Sequence, residues 1–194
     1  MTEQTNNKER ILQCALKLFS KKGYDGTSTM DIVNTAQVTK PTMYHYFGSK
    51  EGLLSEILEQ NYTALSAKLK EAANLPQDIS LTFYRIARVY FDGARENLDF
   101  FRFRMGLMLR TGEDAAYLCA RKYIEEEYAI IKDFFDNATK QAGNLAGKES
   151  LCTITLIGVL NAAVSAYLYL EDEAMLSDET IYKLRQQFLH GIYS

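Results

Sequence analysis

The fold of this chain is decided by residues 28–50, which read STMDIVNTAQVTKPTMYHYFGSK. Ser28 is a typical helix cap, and Asp31 places a carboxylate in the first turn, where the positive end of the helix favours it. Thr39 can cap a second helix, and Pro41 stands in the first turn of that helix, where a missing N–H is tolerated. The stretch therefore predicts two short helices joined by a tight turn, which is a helix-turn-helix.

The second of these helices is predicted to turn a polar face outward. Met43 and Phe47 are spaced i, i+4, so they share the inward face. The first turn of a recognition helix enters the major groove of DNA, and neighbouring residues hold phosphates. Thr42 and Pro41 offer a hydroxyl and methylenes for base edges, including the thymine methyl group. The outward residues are Lys40, Pro41, Thr42, Tyr44 and His45.

A resemblance to a known family covers residues 8–58. The first predicted helix reads KERILQCALKLF, and it is followed by KGYDGTS at 22–28, TMYHYF at 42–47 and SKEGLL at 49–54. An ordinary helical hairpin with a solvated face would give the geometry of the two helices, but not these motifs in this order. Together they resemble the DNA-binding domain of the TetR family of transcriptional repressors.

The resemblance implies how this part of the chain would hold a duplex. Contacts to the DNA backbone are implied for Ser28, Thr29, Thr39, Tyr44 and Lys50. Contacts on the side of the bases are implied for Lys40, Pro41, Thr42 and His45.

Two positions depart from the family pattern. Gln37 stands in the turn where members usually carry Gly, and a non-Gly residue in a left-handed turn costs about 1 kcal/mol. We therefore expect the turn to differ slightly. Met30 stands where many members have Arg, so a base contact from the first helix of the motif lacks support.

Composition favours a regulator in the cytoplasm. The 194 residues suffice for one or two domains with a real core. Residues 1–7 are polar, and we expect no apolar run long enough to cross a bilayer and no membrane attachment. Cys14, Cys119 and Cys152 are too scattered for a disulfide framework or a zinc site, so neither a metal nor a cofactor is expected. A redox role for Cys119 or Cys152 stays open, with buried inert thiols as the alternative.

Charge is divided unevenly along the chain. Residues 1–54 carry seven Lys/Arg and five Asp/Glu, whereas residues 55–194 carry fifteen and twenty. Because the net charge of −3 does not draw the whole protein to DNA, binding must rely on a local basic patch. A solvated helix face is the alternative for most of its candidates, which are Lys8, Arg10, Lys17, Lys21, Lys22, Lys40 and Lys50.

The rest of the chain is predicted to be helical, so the fold class is all-α with about nine helices. A three-helix helix-turn-helix domain over 1–54 is expected to precede a larger ligand-binding and dimerisation domain over 55–194. Pro76 should end the fourth helix, and Gly143, Asn144 and Gly147 should mark the loop before the eighth.

The last two helices are predicted to form a dimer interface. A dimer is favoured because two-fold pairing sets two recognition helices about 34–36 Å apart on one face of DNA. The resemblance implies a four-helix bundle, although both helices can also pack within the chain. The predicted interface has small residues on the eighth helix and apolar residues on the ninth: Gly158, Ala162, Ala166, Ile181, Leu184 and Phe188.

Helices five to eight are expected to enclose a ligand pocket, because this region is rich in aromatic residues. Such residues are also ordinary core. Arg104 interrupts an apolar stripe, so it should meet an acidic partner, reach out to water, or face a cavity and favour an anionic group. The candidate ligand-binding residues are Phe100, Arg104, Met105, Met108, Tyr123, Asn161 and Tyr167.

These expectations combine into a homodimeric transcription regulator, a repressor that a small-molecule effector releases from a pseudo-palindromic, double-stranded operator. A ligand-independent regulator, an activator and an all-helical adaptor for a protein partner stay open as alternatives. An enzyme is not expected. His45 and His190 are the two histidines, and no Gly-rich phosphate loop, HExxH motif or GxSxG motif occurs.

Overall fold

The computed structural model describes residues 3–74, 78–140 and 146–190, with side chains from residue 7 onward. Within these ranges the chain forms nine α-helices, one 3₁₀ helix and no strand, which confirms the all-α prediction. The α-helices are α1 (Glu3–Lys22), α2 (Thr29–Thr35), α3 (Lys40–Phe47), α4 (Lys50–Ala73), α5 (Ile79–Glu96), α6 (Leu98–Met108), α7 (Ala115–Thr139), α8 (Glu149–Leu170) and α9 (Asp178–His190).

Sequence reasoning missed one element and left some markers untested. The 3₁₀ helix Glu173–Leu176 lies between α8 and α9 and was not predicted. Pro76, Gly143 and Asn144 lie outside the described residues, whereas Gly147, the remaining loop marker, stands in a turn with φ of 79°.

The chain divides into two compact units. Met1–Thr63 and Asp99–Tyr123 form the first unit, and Ala64–Leu98 and Ile124–Ser194 form the second. Helices α4 and α7 therefore each contribute residues to both units. The predicted domain boundary after residue 54 falls inside α4, and it stays a prediction about where the DNA-binding part ends.

Helix α2 begins at a reciprocal capping box. The Ser28 hydroxyl accepts the backbone N–H of Asp31 at 3.1 Å, and the Asp31 carboxylate accepts the backbone N–H of Ser28 at 2.9 Å. The Ser28 hydroxyl also donates to that carboxylate at 2.6 Å. The hydrogen bonds from Ser28 lower the pKa of Asp31, because they stabilise its charged form. The local sequence alone thus fixes the start of the helix-turn-helix.

Apolar side chains hold α1, α2 and α3 together. Ile11 of α1, Ile32 of α2 and Met43 of α3 are fully buried, and Phe47 is buried beside them. The prediction that Met43 and Phe47 face inward is therefore confirmed. Arg10 Nε donates to the carbonyl oxygen of Ala36 at 2.8 Å, which satisfies a carbonyl at the end of α2.

The turn between α2 and α3 contains a left-handed residue. Gln37 has φ of 51°, and its N–H donates to the carbonyl oxygen of Asn34 at 3.2 Å. Val38 N–H donates to the carbonyl oxygen of Val33 at 3.0 Å. The backbone of Gln37 therefore carries the cost, about 1 kcal/mol, that glycine would avoid.

The second unit packs α5, α8, α9 and the 3₁₀ helix against one another. The ring of Phe188 on α9 lies 5.3 Å from that of Phe83 on α5 and 6.0 Å from that of Phe135 on α7, measured between centroids. The buried Tyr90 hydroxyl donates to the carboxylate of Glu127, which is also buried. Aromatic packing and a buried polar bond thus join α5, α7 and α9.

Helix α8 corrects one expectation. It has 22 residues and a mean hydropathy of 1.8 in its most apolar window, which is the length and composition of a membrane span. The expectation that no apolar run is long enough was therefore wrong. The physical reason is that α8 is apolar on every side, with Leu156 and Leu160 in the core and Leu151 and Ile154 exposed. A core helix of a soluble protein passes the same test, and α8 packs on α5 and the 3₁₀ helix.

Removal of the α2 cap should destabilise the protein measurably. We expect Ser28→Ala to lower Tm by about 2–4 °C, because an N-terminal N–H of α2 loses its partner. Thr63→Ala is the matched control, since Thr63 lies exposed within α4 and the change removes the same kind of hydroxyl. Thermal unfolding followed by circular dichroism tests this prediction, and equal Tm values for both variants would contradict it.

Candidate nucleic-acid interface

The structure displays most of the predicted DNA-binding side chains on the surface of the first unit. Met43, on the opposite side of α3, is buried in the core. Thr29, Thr42 and Lys50 are half-buried. The exposed members are Ser28, Thr39, Lys40, Pro41, Tyr44 and His45.

Two threonines organise the first turn of α3. The backbone N–H of Thr42 donates to Thr39 Oγ1 at 3.3 Å, so Thr39 caps the helix as predicted. The two hydroxyl oxygens lie 2.8 Å apart and share a hydrogen bond. Because a hydroxyl carries one donor and two acceptor sites, the Thr42 hydroxyl can still form a hydrogen bond with a base edge.

Lys40 and Tyr44 lie one turn apart on the outward side of α3. The ammonium of Lys40 is 5.7 Å from the centroid of the Tyr44 ring, and Tyr44 is 39% exposed. This arrangement places a cation close to a phenol group. The chemistry suits a phosphate oxygen, which accepts from both kinds of donor.

Lys50 is anchored within the chain. Its Nζ donates to the carbonyl oxygen of Tyr24 at 2.6 Å and lies 3.9 Å from the centroid of the Tyr24 ring. Burial lowers the pKa of Lys50. Burial, and then the charge of Glu51, raise the pKa of Tyr24 to about 12. An ammonium has three donors, so Lys50 keeps protons for the phosphate contact that the resemblance implies.

Arg110 is a residue that sequence reasoning missed. Its Nη1 donates to Asp25 Oδ2 at 2.7 Å and to Asp114 Oδ2 at 2.6 Å. The hydrogen bond to Asp25 is the main cause that raises the pKa of Arg110. Asp25 lies in the loop between α1 and α2, so Arg110 holds that loop to the segment that follows α6. No local pattern signals a contact between residues 85 positions apart.

The basic patch is smaller than the sequence indicated. Lys8 Nζ donates to Glu56 Oε1 at 2.7 Å, and Arg10 is bonded to the Ala36 carbonyl described above. These two cations are engaged within the chain. The exposed candidates are Lys17, Lys21, Lys22 and Lys40.

Two of the predicted ligand-binding residues meet around Tyr62. The Tyr62 ring stacks on Tyr123 at 5.1 Å with an interplanar angle of 8°, and it meets Phe100 edge-on at 5.1 Å. All three side chains are buried in the first unit. Sequence reasoning missed Tyr62, although its place among buried leucines of α4 was a signal.

The other predicted ligand-binding residues are distributed over both units. Arg104 is fully buried, with its guanidinium carbon 5.1 Å from the Phe101 ring centroid, which rules out the alternative in which it reaches water. Met105 and Met108 are half-buried on the same helix. Asn161 and Tyr167 belong to the second unit. Burial raises the pKa of Tyr167, whose hydroxyl donates to Glu173 at 3.3 Å.

Two surface grooves of the second unit are lined by other residues. One groove of about 240 Å³ lies between α4 and α7, and another of about 240 Å³ lies between α4 and α5. Across residues 3–74, 78–140 and 146–190, no group of three or more His, Cys, Asp or Glu side chains could hold a metal ion.

Comparison with known proteins identifies related regulators. Residues 11–57 match the family model of bacterial regulatory proteins, tetR family. The chain spans only 34–38% of the length of the first curated relatives it matches, which are helix-turn-helix regulators of Bacillus subtilis. The transcriptional regulator QacR of Staphylococcus aureus is 25% identical over 96% of this chain and 98% of its own length. IcaR of Staphylococcus aureus, a negative transcriptional regulator of a biofilm operon, is 39% identical over 25% of this chain and 26% of its own.

The overall fold also matches a solved regulator. FadR of Bacillus subtilis, in complex with stearoyl-CoA, superposes with a TM-score of 0.78 over 95% of this chain and 99% of that chain, at 14% identity. At this identity the likeness concerns the fold, an N-terminal helix-turn-helix followed by a larger helical part. The matched family model and the capped, packed helix-turn-helix agree: residues 11–57 form a helix-turn-helix domain of the kind found in bacterial regulatory proteins of the tetR family.

Proposed function

We propose that this chain is a homodimeric repressor that binds a pseudo-palindromic operator and is released by a small-molecule effector. The observation that carries the proposal is the two-sided α3. Met43 and Phe47 hold one side in the core, while Pro41, Tyr44 and His45 are exposed on the other. A helix fixed in this way can enter a major groove without rearrangement of the core.

Repression, as the sign of regulation, is proposed on the likeness to one relative. IcaR is described as a negative regulator, and a bound dimer blocks the DNA it covers. An activator would bind the same operator, so the two differ only in the effect on transcription. An adaptor for a protein partner would instead show no salt-dependent binding to any duplex.

The dimer is supported by the exposed apolar side of α8. Leu151 is 65% exposed and Ile154 is 59% exposed, and Gly158 and Ala162 continue the exposed stripe towards the half-buried Ala166. A second copy of the chain would cover this stripe and set the spacing of the two recognition helices.

The contribution of α9 to the dimer differs from the sequence expectation. Ile181 is fully buried within the chain, and Phe188 packs on Phe83 and Phe135. Both serve the core of the second unit, while Leu184 is half-buried. On α9 the proposed contact therefore rests on Leu184 and the exposed Tyr182.

The effector is proposed to bind at the aromatic cluster around Tyr62. Phe100 and Tyr123 supply apolar ring surface, and Met105 and Met108 on α6 are flexible enough to adapt to a ligand. Arg104 on the same helix gives the region a positive charge that favours an anionic group. FadR is described with stearoyl-CoA, so an acyl-CoA is the first probe to use.

Release requires that the effector binds one conformation better than the other. In the proposed mechanism α4 is displaced in the released conformation. Helix α4 is the proposed link because it contributes residues to both units. The displacement changes the separation of the two recognition helices. Coupling of about 1–3 kcal/mol between effector and operator gives roughly 5–150-fold relief.

The DNA-binding proposal is tested with duplexes selected from a random pool. We expect Tyr44→Phe to weaken binding to every duplex about tenfold, because it removes only a phosphate-facing hydroxyl. Thr42→Val should change the preference at one base pair in each half-site. Fluorescence anisotropy at fixed salt measures both effects, with Gln13→Ala on the exposed side of α1 as the control. Equal loss on all sequences for Thr42→Val would remove its base-reading role.

The dimer is tested by a charge on the α8 stripe. We expect Ile154→Glu to make the protein monomeric and to weaken operator binding at least tenfold, because burial of an unpaired carboxylate is costly. Leu81→Glu is the matched control, since Leu81 is also exposed but lies on α5. Sedimentation velocity reports the oligomeric state. A dimeric Ile154→Glu with unchanged affinity would place the interface elsewhere.

The effector site is tested by melting scans with stearoyl-CoA, stearate and free CoA. At a hundred times its Kd, a ligand should raise Tm by about 5–10 °C. Phe100→Leu should abolish most of this rise, whereas Phe91→Leu, which alters an equally buried ring in the second unit, should not. A rise that is the same in both variants would exclude the Tyr62 cluster.

A further inference from the structure

Gln37 combines three features that single it out on the surface of the first unit. Its backbone is left-handed with φ of 51°, and only one other non-Gly residue in the described ranges, Glu171, has a positive φ. Its side chain is exposed. Over the part of the chain that the structure describes, its side-chain amide forms no hydrogen bond; only its backbone N–H does, to Asn34.

Glycine would take the same backbone conformation without strain. The turn is fixed by the hydrogen bonds from Gln37 N–H and Val38 N–H, neither of which needs the glutamine side chain. Within the folded chain, therefore, nothing offsets the cost of a side chain at this position. A strained residue that the fold does not require is an indication of function.

The position of Gln37 suggests what that function is. It stands two residues before Thr39, which caps α3, and its neighbours Thr39 and Lys40 are both exposed. We infer that the Gln37 amide donates a hydrogen bond to a phosphate oxygen of the operator. The inference rests on the proposed function and adds a contact that glycine at this position could not make.

A phosphate contact fits better than a base contact. The first turn of a recognition helix enters the groove, and Gln37 lies in the turn before that helix. Amide side chains are common donors to phosphate oxygens, and such contacts set orientation without reading sequence. Because the amide is neutral, the contact releases no counterion.

The first test compares Gln37→Gly with Glu171→Gly. Both variants remove a side chain from a left-handed position, so both should raise Tm by about 2–4 °C. Only Gln37→Gly should weaken binding to the selected operator and to a random duplex, each by about 5–20-fold. The slope of log K against log salt should be unchanged for that variant.

The second test introduces a charge at the same place. Gln37→Lys keeps a side chain long enough to reach a phosphate, so it should retain operator binding and increase the salt slope by about one. Gln37→Gly that binds as tightly as wild type would overturn the contact, and so would Gln37→Lys with an unchanged slope. If the wild-type chain binds no duplex at all, the proposed function fails together with the contact. If the wild-type chain binds duplex and only the Gln37 variants depart from expectation, the contact fails alone.

Discussion

The rest of this molecule depends on the burial of one side of α3. A helix of eight residues is too short to be stable alone in water, because nucleation is costly and few hydrogen bonds repay it. Met43 and Phe47 hold it against α1 and α2, and Thr39 caps its first turn. Every proposed contact with a base edge is made from the side of α3 that faces away from this packing, so the recognition surface is a consequence of the core.

Local features of the fold could be predicted from the sequence, because they are decided within a few residues. The caps at Ser28 and Thr39 and the inward Met43 all follow from spacing of this kind. Long-range contacts could not be predicted. The bond between Arg110 and Asp25, and the rings that meet at Tyr62, join segments that no periodicity relates.

The buried side of a uniformly apolar helix could not be predicted from its pattern, as helix α8 shows. It is apolar on every side, so periodicity did not indicate which residues enter the core. The structure shows Leu156 and Leu160 inside and Ile154 outside. On α9 the apolar pattern was clear, but Ile181 and Phe188 pack within the chain. A surface for a second copy is thus defined by what the core leaves uncovered.

In the proposed function, neutral side chains supply much of the discrimination between the operator and other DNA. The chain has a net charge of −3, and Lys8 and Arg10 are engaged within the fold, so the proposed phosphate contacts rest on the other candidate lysines of the first unit. Contacts between cations and phosphates are weakened by salt and do not depend on sequence. Hydrogen bonds and apolar contacts from neutral groups such as Pro41 and Thr42 are far less sensitive to salt. A regulator built in this way gains specificity at physiological salt, because the contacts that salt weakens are those that bind all DNA alike.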